Sequence, residues 1–448
     1  MSLSAKYYWL NLIIGTFILQ WVTFYNGYPI IYIDTATYLK SGFNLDTPAD
    51  RPITYGIFCM VTSFYKFSLF LTTFFQNLIL SWLLLECFIK CLGKLQIRYF
   101  LITIIPISFL TGVCWVSNQI FADLFTSFIF LLAFLILTYS EVGKKKLGFL
   151  YFIFVWSVGS HLSHISITQL FLYASLPIAI FVSHNYLKLA KKIVIKRGVA
   201  LILTGLSAIL IMGAAISKSS PIFFTGKLCE NGILKKYLDE NCETTDFELC
   251  KLKNELTYNA ADFVWSPQGA TSKLGGWKAV RNEYRKIDIA IIKNPKYFKM
   301  LVTESVKASV EQFTLNKIGD GNIGLLNESN NTSTIKRFFP HEFDFYTTSK
   351  ENRDEGINFS FFNGIYNVSY LVFALSFVLL FFRKTILRQF DPVYLLSSMV
   401  IIGITINNIV SASLANQIDR FGLRVIWLLA FMTVLMIIEI KIQYNKKF

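Results

Sequence analysis

The stretch SLFLTTFFQNLILSWLLLECFI (Ser68–Ile89) carries one charged side chain, Glu86, in a run that is long enough to cross a bilayer. A helix needs about 20 predominantly apolar residues to span about 30 Å of hydrocarbon. Several other windows of the 448-residue chain are almost as poor in charge, and the whole sequence is 54% hydrophobic. The sequence therefore predicts an all-α polytopic membrane protein rather than a soluble protein with a large core.

Apolar windows on both sides of this stretch predict about ten transmembrane helices. Besides Ser68–Ile89, the predicted spans are Tyr8–Tyr25, Tyr99–Trp115, Ile120–Tyr139, Leu147–Ser163, Ile165–Val182, Gly198–Ser217, Phe362–Phe382, Pro392–Ser413 and Val425–Ile440. The first window lacks a basic leader and a small-residue cleavage site, so it is read as a retained helix and not as a signal peptide. The apolar stretch Ile53–Phe67 is too short to span comfortably and is predicted to be an interfacial or re-entrant helix.

Basic residues mark alternate short loops between these spans, as at Lys144, Lys145 and Lys146. The positive-inside rule makes these loops cytoplasmic and the intervening loops external, with the N-terminus inside. The formal net charge of +15 is then explained by topology and by anionic lipid headgroups, and nucleic acid is not expected as a partner. We expect an integral multi-pass protein of the inner (cytoplasmic) membrane whose site faces the periplasm or exterior.

The spans divide the chain into three parts. An N-terminal transmembrane module (1–217) contains the first external loop (26–52), a polar insertion (218–361) is predicted to be a mostly helical extracytoplasmic domain, and residues 362–448 form a C-terminal transmembrane module. Within the insertion, the segment Phe263–Trp277 is predicted to be a loop whose aromatic rings suit a sugar face or the membrane interface.

Three of the seven cysteines, Cys229, Cys242 and Cys250, lie in this insertion. An external compartment permits disulfides, and three cysteines leave one unpaired. Closure of the short loop Cys242–Cys250 is the first choice, and Cys229–Cys242 is the second.

Carboxylates and an arginine cluster in the first external loop, YIDTATYLKSGFNLDTPADRP (32–52). Asp34 is a candidate general base or electrostatic partner for a substrate, and the alternative is an N-cap of a helix that contains Tyr38. Arg51 suits bidentate phosphate binding, and its alternative is an anchor that snorkels to the interface. We count Tyr38 and Arg51 as candidate substrate-binding residues.

Two other external turns carry candidate substrate-binding residues. Asp123 begins a predicted span, where it faces a cavity or interacts with the helix dipole. His161 and His164 are three residues apart and share one helix face. Zinc sites use such pairs together with further ligands, but no cysteine or glutamate partner is evident nearby. A hydrogen bond from this pair to substrate or to Asp123 is therefore favoured over a metal site.

The turn NQIDRFGLR (416–424) places Arg420 and Arg424 four residues apart on one helix face before the last span. Two guanidinium groups at the outer edge of the membrane would cradle the phosphate of a lipid headgroup. The alternative is an Asp–Arg pair on the surface with Asp419, which would contribute under about 1 kcal/mol.

These motifs together resemble the GT-C superfamily of integral membrane glycosyltransferases. The resemblance rests on D-T-A-T-Y (34–38), R-P-I-T-Y (51–55) and N-Q-I-F-A-D-L-F (118–125), and it covers about residues 1–217. It implies inverting transfer of a sugar from a polyprenyl-phosphate donor to a glycolipid, polysaccharide or protein acceptor at the outer face. By resemblance Asp34 is the catalytic carboxylate, although Thr35 stands where several members carry a second acid. No cofactor is certain, and a divalent cation is left open.

Three other functions are compatible with the same sequence. A transporter or flippase of a lipid-linked sugar would be expected to show internal repeats and ionisable groups near the middle of the membrane, and neither is evident. A non-glycosyl envelope transferase would need a nucleophile or a metal cluster, and the chain has only four histidines. A structural or assembly partner is the remaining alternative, which an inert Asp34→Ala variant would favour.

Overall fold

The computed structural model describes residues 3–93, 98–139, 142–322 and 329–445. These residues form helices joined by turns and loops, and the only β-pairing among them is an isolated parallel bridge between Ile30 and Gln119. The predicted all-α fold class is therefore confirmed for the described part of the chain.

The described residues in the first half of the chain form eleven α-helices. They are α1 (Leu3–Leu19), α2 (Trp21–Asn26), α3 (Thr35–Asn44), α4 (Thr54–Thr62), α5 (Leu69–Leu92), α6 (Phe100–Leu110), α7 (Val113–Ser117), α8 (Leu124–Thr138), α9 (Lys144–Gly159), α10 (Ser163–Asn185) and α11 (Lys191–Glu230).

The second half adds eleven more and three short 3₁₀ helices. The α-helices are α12 (Ile233–Asn241), α13 (Ala260–Trp265), α14 (Ala270–Lys273), α15 (Trp277–Lys293), α16 (Pro295–Gln312), α17 (Asn330–Phe338), α18 (Phe343–Thr348), α19 (Phe359–Ile386), α20 (Pro392–Leu414), α21 (Asp419–Ile426) and α22 (Leu428–Asn445). The 3₁₀ helices are Glu248–Leu252, Pro340–Glu342 and Lys350–Asn352.

Six helical runs in the described residues are long and apolar enough to cross a membrane. They are α5, α10, Lys191–Leu210 of α11, α19, α20 and the run Asp419–Asn445 that joins α21 to α22. The ten predicted spans are therefore not confirmed. The other four predicted spans correspond to shorter helices, and α6, with 11 residues, reaches only about 16 Å.

Two of the unconfirmed spans are divided because their apolar windows extend across breaks between helices. The predicted span Tyr8–Tyr25 is divided at Gln20 between α1 and α2. The predicted span Tyr99–Trp115 is divided between α6 and α7, and Thr111 lies in extended backbone at the break. Hydropathy reports composition along a window, whereas a span also needs an unbroken helix.

The stretch Ile53–Phe67 forms the short helix α4 with nine residues, which packs against α3. The contact is very close, because a Cβ atom on Gly42 would lie 2.0 Å from the carbonyl oxygen of Gly56. Only glycine permits this approach of the two backbones. This close packing holds α3, which begins directly after Asp34, against α4, which begins shortly after Arg51.

The polar insertion belongs to two hydrophobic cores. Residues from Ile222 to Tyr297 form a separate small core within the predicted external domain, whereas Ile335, Phe338 and Tyr346 join the larger core that contains the candidate spans. Helix α11 links the two cores, because its 40 residues continue without interruption from the candidate span Lys191–Leu210 into the small core. At 1.5 Å per residue it is about 60 Å long, about twice the thickness of the hydrocarbon layer.

Candidate functional site

The first external loop is held in place by segments that are distant in sequence. The Ile30 amide donates to the Asn118 carbonyl oxygen, and the Ile120 amide donates to the Ile30 carbonyl oxygen, each at 3.0 Å. The Asn331 side chain accepts from the Ala36 amide and donates to the Tyr32 carbonyl oxygen, each at 2.9 Å. The start of α3 is therefore fixed from two sides before any substrate arrives.

Asp34 occupies the N-cap position of α3, but its side chain makes no capping hydrogen bond. Its carboxylate lies 3.1 Å from Arg51 Nη2 and 3.5 Å from Arg420 Nη1. A cap would have used this carboxylate for an α3 amide. The geometry therefore departs from the capping alternative and places Asp34 between two guanidinium groups.

Both guanidinium groups lie over aromatic rings. Arg51 also pairs with Asp50 and lies 5.1 Å from the ring centre of Tyr38. Arg420 lies 4.7 Å from the ring centre of Phe121. Among the described residues, no hydrogen-bond partner is found for Arg420 Nε and Nη1, although Nη1 is in ion-pair range of Asp34. Arg420 thus keeps hydrogen-bonding capacity at the site.

Asp123 and Arg424 form a buried ion pair behind these residues. Arg424 Nη1 lies 3.1 Å from Asp123 Oδ1, and the side chains are 0% and 3% exposed. Arg424 also donates to Asn407 at 2.9 Å and to Ser411 at 3.1 Å. Because Arg420 Nε lies 3.9 Å from Asp123 Oδ2, the two groups of ion pairs are continuous.

The two histidines differ in their surroundings. His164 is fully buried and hydrogen-bonded to Thr126 and to the Ser157 carbonyl oxygen, each at 2.7 Å. His161 is partly exposed, and its Nδ1 lies 2.9 Å from the Ser163 hydroxyl. Burial, followed by the adjacent His164 and the nearby arginines, holds the pKa of His161 well below its usual value. His161 is therefore a neutral imidazole near pH 7.

A cavity of about 600 Å³ lies between this cluster and the external domain. We call its polar part the floor; it consists of Asp34, Tyr38, Asp50, Arg51, Phe121, His161 and Arg420. We call its external part the roof; it consists of Ser219, Ser220, Pro221, Phe223 and Phe224 of α11, Ala260, Val264 and Trp265 of α13, and Asp288 and Ile292 of α15. Val410 and Leu414 of α20 line the side. The cavity has the size of a small-molecule site and combines charged with apolar surface.

The predicted site residues divide into two groups around this cavity. Asp34, Tyr38, Arg51, His161 and Arg420 line it. The other three predicted residues, Asp123, His164 and Arg424, are buried behind the floor and do not line it. These three make hydrogen bonds or ion pairs with neighbouring protein groups, and their direct contact with a substrate stays a prediction.

Asp288 lines the roof, and the sequence analysis did not select it. It accepts a hydrogen bond of 2.8 Å from the Thr225 hydroxyl, and burial raises its pKa to about 7. In sequence it stands in the amphipathic helix α15, where an aspartate is typical of a solvated face. The available signal was its position among apolar residues in IDIAII (287–292).

The external domain contains a disulfide between Cys242 and Cys250, and Cys229 is a free, buried thiol. The segment Phe263–Trp277, predicted to be a loop, is in part helical, because it contains the end of α13 and all of α14. The rings of Trp265 and Trp277 contact each other at 4.9 Å between centres.

Within the described ranges, no group of three or more histidine, cysteine, aspartate or glutamate side chains is placed to hold a metal ion. Comparisons with protein-family models, with curated proteins and with solved structures gave no match.

Proposed function

We propose that this protein is a GT-C-like glycosyltransferase that moves a sugar from a polyprenyl-phosphate donor to an envelope acceptor at the outer face of the membrane. The observation that carries the proposal is the cavity, whose floor joins a carboxylate to two guanidinium groups while its roof and side are largely apolar. A sugar phosphate attached to a lipid has the same division between a charged head and an apolar tail.

Leu414, Ile292 and Trp265 line the cavity and are also exposed on the surface. We call these three residues the apolar rim; Leu414 lies on α20, one of the helices with the length and hydropathy of a span. A lipid tail would leave the cavity along this rim without entering water, which favours a membrane-borne donor over a water-soluble nucleotide sugar.

Donor binding would change the pairing of Asp34. In the structure the Asp34 carboxylate forms ion pairs with Arg51 and Arg420. A donor phosphate would compete for the same guanidinium groups. Arg420 Nε and Nη1 can donate hydrogen bonds to that phosphate without losing others among the described residues. Phosphate binding would thereby release the Asp34 carboxylate at the moment when a base is needed.

The proposed sugar transfer forms one bond, breaks one bond and moves one proton. The acceptor oxygen forms a bond to the anomeric carbon, the bond from that carbon to the phosphate oxygen breaks, and the lipid phosphate leaves with the electron pair. Asp34 takes the acceptor proton as general base. Arg51 and Arg420 stabilise the negative charge that develops on the leaving phosphate.

The test compares hosts that carry wild-type protein, Asp34→Asn, or the matched control Asp46→Asn at equal protein levels. Asp46 lies in the same loop, is exposed and does not line the cavity. Mass spectrometry of surface glycans and of lipid-linked sugars is expected to show loss of one defined sugar and accumulation of its lipid-phosphate donor with Asp34→Asn alone.

Unchanged glycans with Asp34→Asn would refute the assignment of Asp34 as base. Donor that accumulates on the cytoplasmic side would instead indicate a flippase, and loss of a phospho or acyl group instead of a sugar would indicate a different envelope transferase. Because carboxylates are preferred ligands of magnesium, the corresponding assay in membranes is run with and without a chelator.

A further inference from the structure

The inference concerns Asp288, the one carboxylate of the roof. It lies on α15, is 6% exposed, and receives a hydrogen bond from Thr225 on the facing side of α11. Thr225 is itself fully buried. The carboxyl group and the hydroxyl group are therefore held together at the wall of the cavity by two packed helices.

The surroundings of this pair are apolar. Phe224 and Val264 line the roof beside Asp288. None of the ion pairs found within the described parts of the chain includes Asp288. A buried carboxyl group without a cation is costly unless it serves a ligand or is protonated. Burial raises its pKa to about 7, so near neutral pH the group can both accept and donate a hydrogen bond.

Asp288 belongs to a different set of elements from the reacting carboxylate. The floor comes from α3, α21 and the loops before α3, α4, α8 and α10, whereas Asp288 lies on α15, which packs in the small core between Ile222 and Tyr297. A substrate that fills the cavity would touch both. A hydroxyl is the ligand best matched to Asp288, because it can pair with either protonation state and brings no charge into an apolar wall.

We propose that Asp288, held in position by Thr225, forms a hydroxyl-binding subsite that recognises the sugar of the lipid-linked donor and fixes its orientation toward Asp34. The inference rests on the proposed function, and it adds a specificity-determining pair to the floor residues. A site built to bond a substrate hydroxyl discriminates strongly against an analogue that lacks it, because the buried polar group is then left unpaired.

The first experiment probes Asp288 without requiring activity. An apolar carbodiimide adds to a protonated carboxyl group, and dicyclohexylcarbodiimide applied to the full chain in nanodiscs is expected to modify Asp288, as located by peptide mass spectrometry. Modification should fall as the pH rises through about 7. The other titratable or charged side chains on elements packed against this region are Lys278, Arg281, Glu283, Tyr284, Arg285, Lys286 and Lys293 on α15, Lys218, Lys227, Cys229 and Glu230 on the part of α11 beyond Leu210, Asp262 on α13, Lys273 on α14, and Lys296, Tyr297, Lys299, Glu304, Lys307 and Glu311 on α16. On α15, Lys278, Arg285, Lys286 and Lys293 are exposed to solvent.

The change in modification around pH 7 is therefore assigned to Asp288 and not to these neighbours. Burial raises the pKa of Tyr284 and of Cys229, so both remain neutral around pH 7. Lys227 is paired with Glu230 at 3.1 Å. Lys273 and Lys296 are paired with other glutamates on the exposed surface of the external domain.

Protection then identifies the ligand. The probes are farnesyl phosphate and a panel of farnesyl-phosphate hexoses. We expect at least one hexose-bearing probe to slow modification of Asp288 and farnesyl phosphate alone to leave it unchanged. If no probe protects Asp288, or if farnesyl phosphate protects it equally well, the sugar subsite is overturned.

Variants give a second, quantitative readout. For the protecting probe, Asp288→Asn and Thr225→Val are expected to raise Kd about tenfold or more, which corresponds to one hydrogen bond with a carboxyl group. The exposed Asp246→Asn in the same domain should leave it unchanged. Farnesyl phosphate should bind all variants alike, which also shows that they are folded, and equal hexose affinity in all variants would contradict the inference.

The outcomes also separate this inference from the proposed function. If Asp34→Asn leaves the glycans unchanged while hexose-dependent protection persists, transfer is refuted and the subsite stands as the sugar site of a carrier. If transfer depends on Asp34 but Asp288 is never protected by a hexose, the transferase stands and the subsite fails.

Discussion

Arg424→Met tests whether the buried pair behind the floor supports the fold rather than binding substrate. The substitution removes a fully buried guanidinium group together with its bonds to Asp123, Asn407 and Ser411. Asp123 then stays buried, with Arg420 at 3.9 Å as the remaining cation among its ion-pair partners. Removing one partner of a buried pair destabilises a protein by about 3–5 kcal/mol, because a charge is left without compensation.

The assay is the thermal unfolding midpoint of the full chain in nanodiscs, followed by tryptophan fluorescence. The single variant Arg424→Met is expected to unfold well below wild type. The double variant Asp123→Asn with Arg424→Met should recover most of the loss, because the stranded charge is gone. With the single variant Asp123→Asn as the fourth member, the double-mutant cycle isolates the interaction energy of the pair from the effect of each side chain alone.

An Arg424→Met protein as stable as wild type would refute this reasoning. If such a protein also failed to bind a farnesyl-phosphate probe, Arg424 would be a phosphate ligand, as its spacing from Arg420 first predicted. Loss of stability with retained binding per folded molecule is the outcome that the buried geometry predicts.

Three further changes test the scaffold around the site. Gly42→Ala should lower the unfolding midpoint by the equivalent of about 1–3 kcal/mol, because its Cβ would meet a backbone oxygen on α4 at 2.0 Å, whereas Gly148→Ala, with open space around it, should be neutral or stabilising. Replacing Cys242 and Cys250 by serine should destabilise the external domain by about 2.5 kcal/mol through loop entropy, measured by limited proteolysis. Burial raises the pKa of Glu351 to about 8, so its contribution to stability is full below about pH 4 and is lost as the pH rises through 8; Glu351→Gln should flatten that decline in the unfolding midpoint.

Each of these predictions has an opposite result that would contradict it. Equal midpoints for the two glycine variants would mean that α3 and α4 are not in close contact. Unchanged proteolysis of the serine variant would mean that the disulfide does not constrain the domain. A pH profile that Glu351→Gln leaves unaltered would show that another group titrates.

Asp34, Arg51 and Arg420, which the sequence analysis predicted to share one side of the membrane, lie close together in the structure. Asp34 and Arg51 lie near the start of the sequence and Arg420 lies near its end. The positive-inside rule nevertheless predicts that all three are in external loops. Loops on one face of a small helical bundle are close together, so the predicted topology alone indicates that residues in these loops lie near one another. That part of the site follows from charge and span length.

The sequence did not predict which of these residues line the cavity and which are buried behind it. Arg424 lies four residues after Arg420 and on the same helix face, yet one guanidinium lines the cavity and the other is buried behind it. Which of them meets a substrate depends on the helices packed around them, and helical periodicity carries no such information. Asp288 was missed for a related reason, because its burial requires α11 to continue beyond the membrane and cover it.

The long-range bonds of the first external loop have a consequence for biosynthesis. The Ile31 amide donates to Glu351 across 320 positions of sequence, and Arg424 reaches Asp123 across 301. At about 5–20 residues per second, the ribosome needs on the order of 15–60 s to supply these partners after the loop itself has been made. The nascent chain therefore carries an incomplete site until its last helices have been inserted. A truncated or stalled product would lack Arg420 and Arg424, and Asp123 would then be a carboxylate without the cations that pair with it in the complete chain.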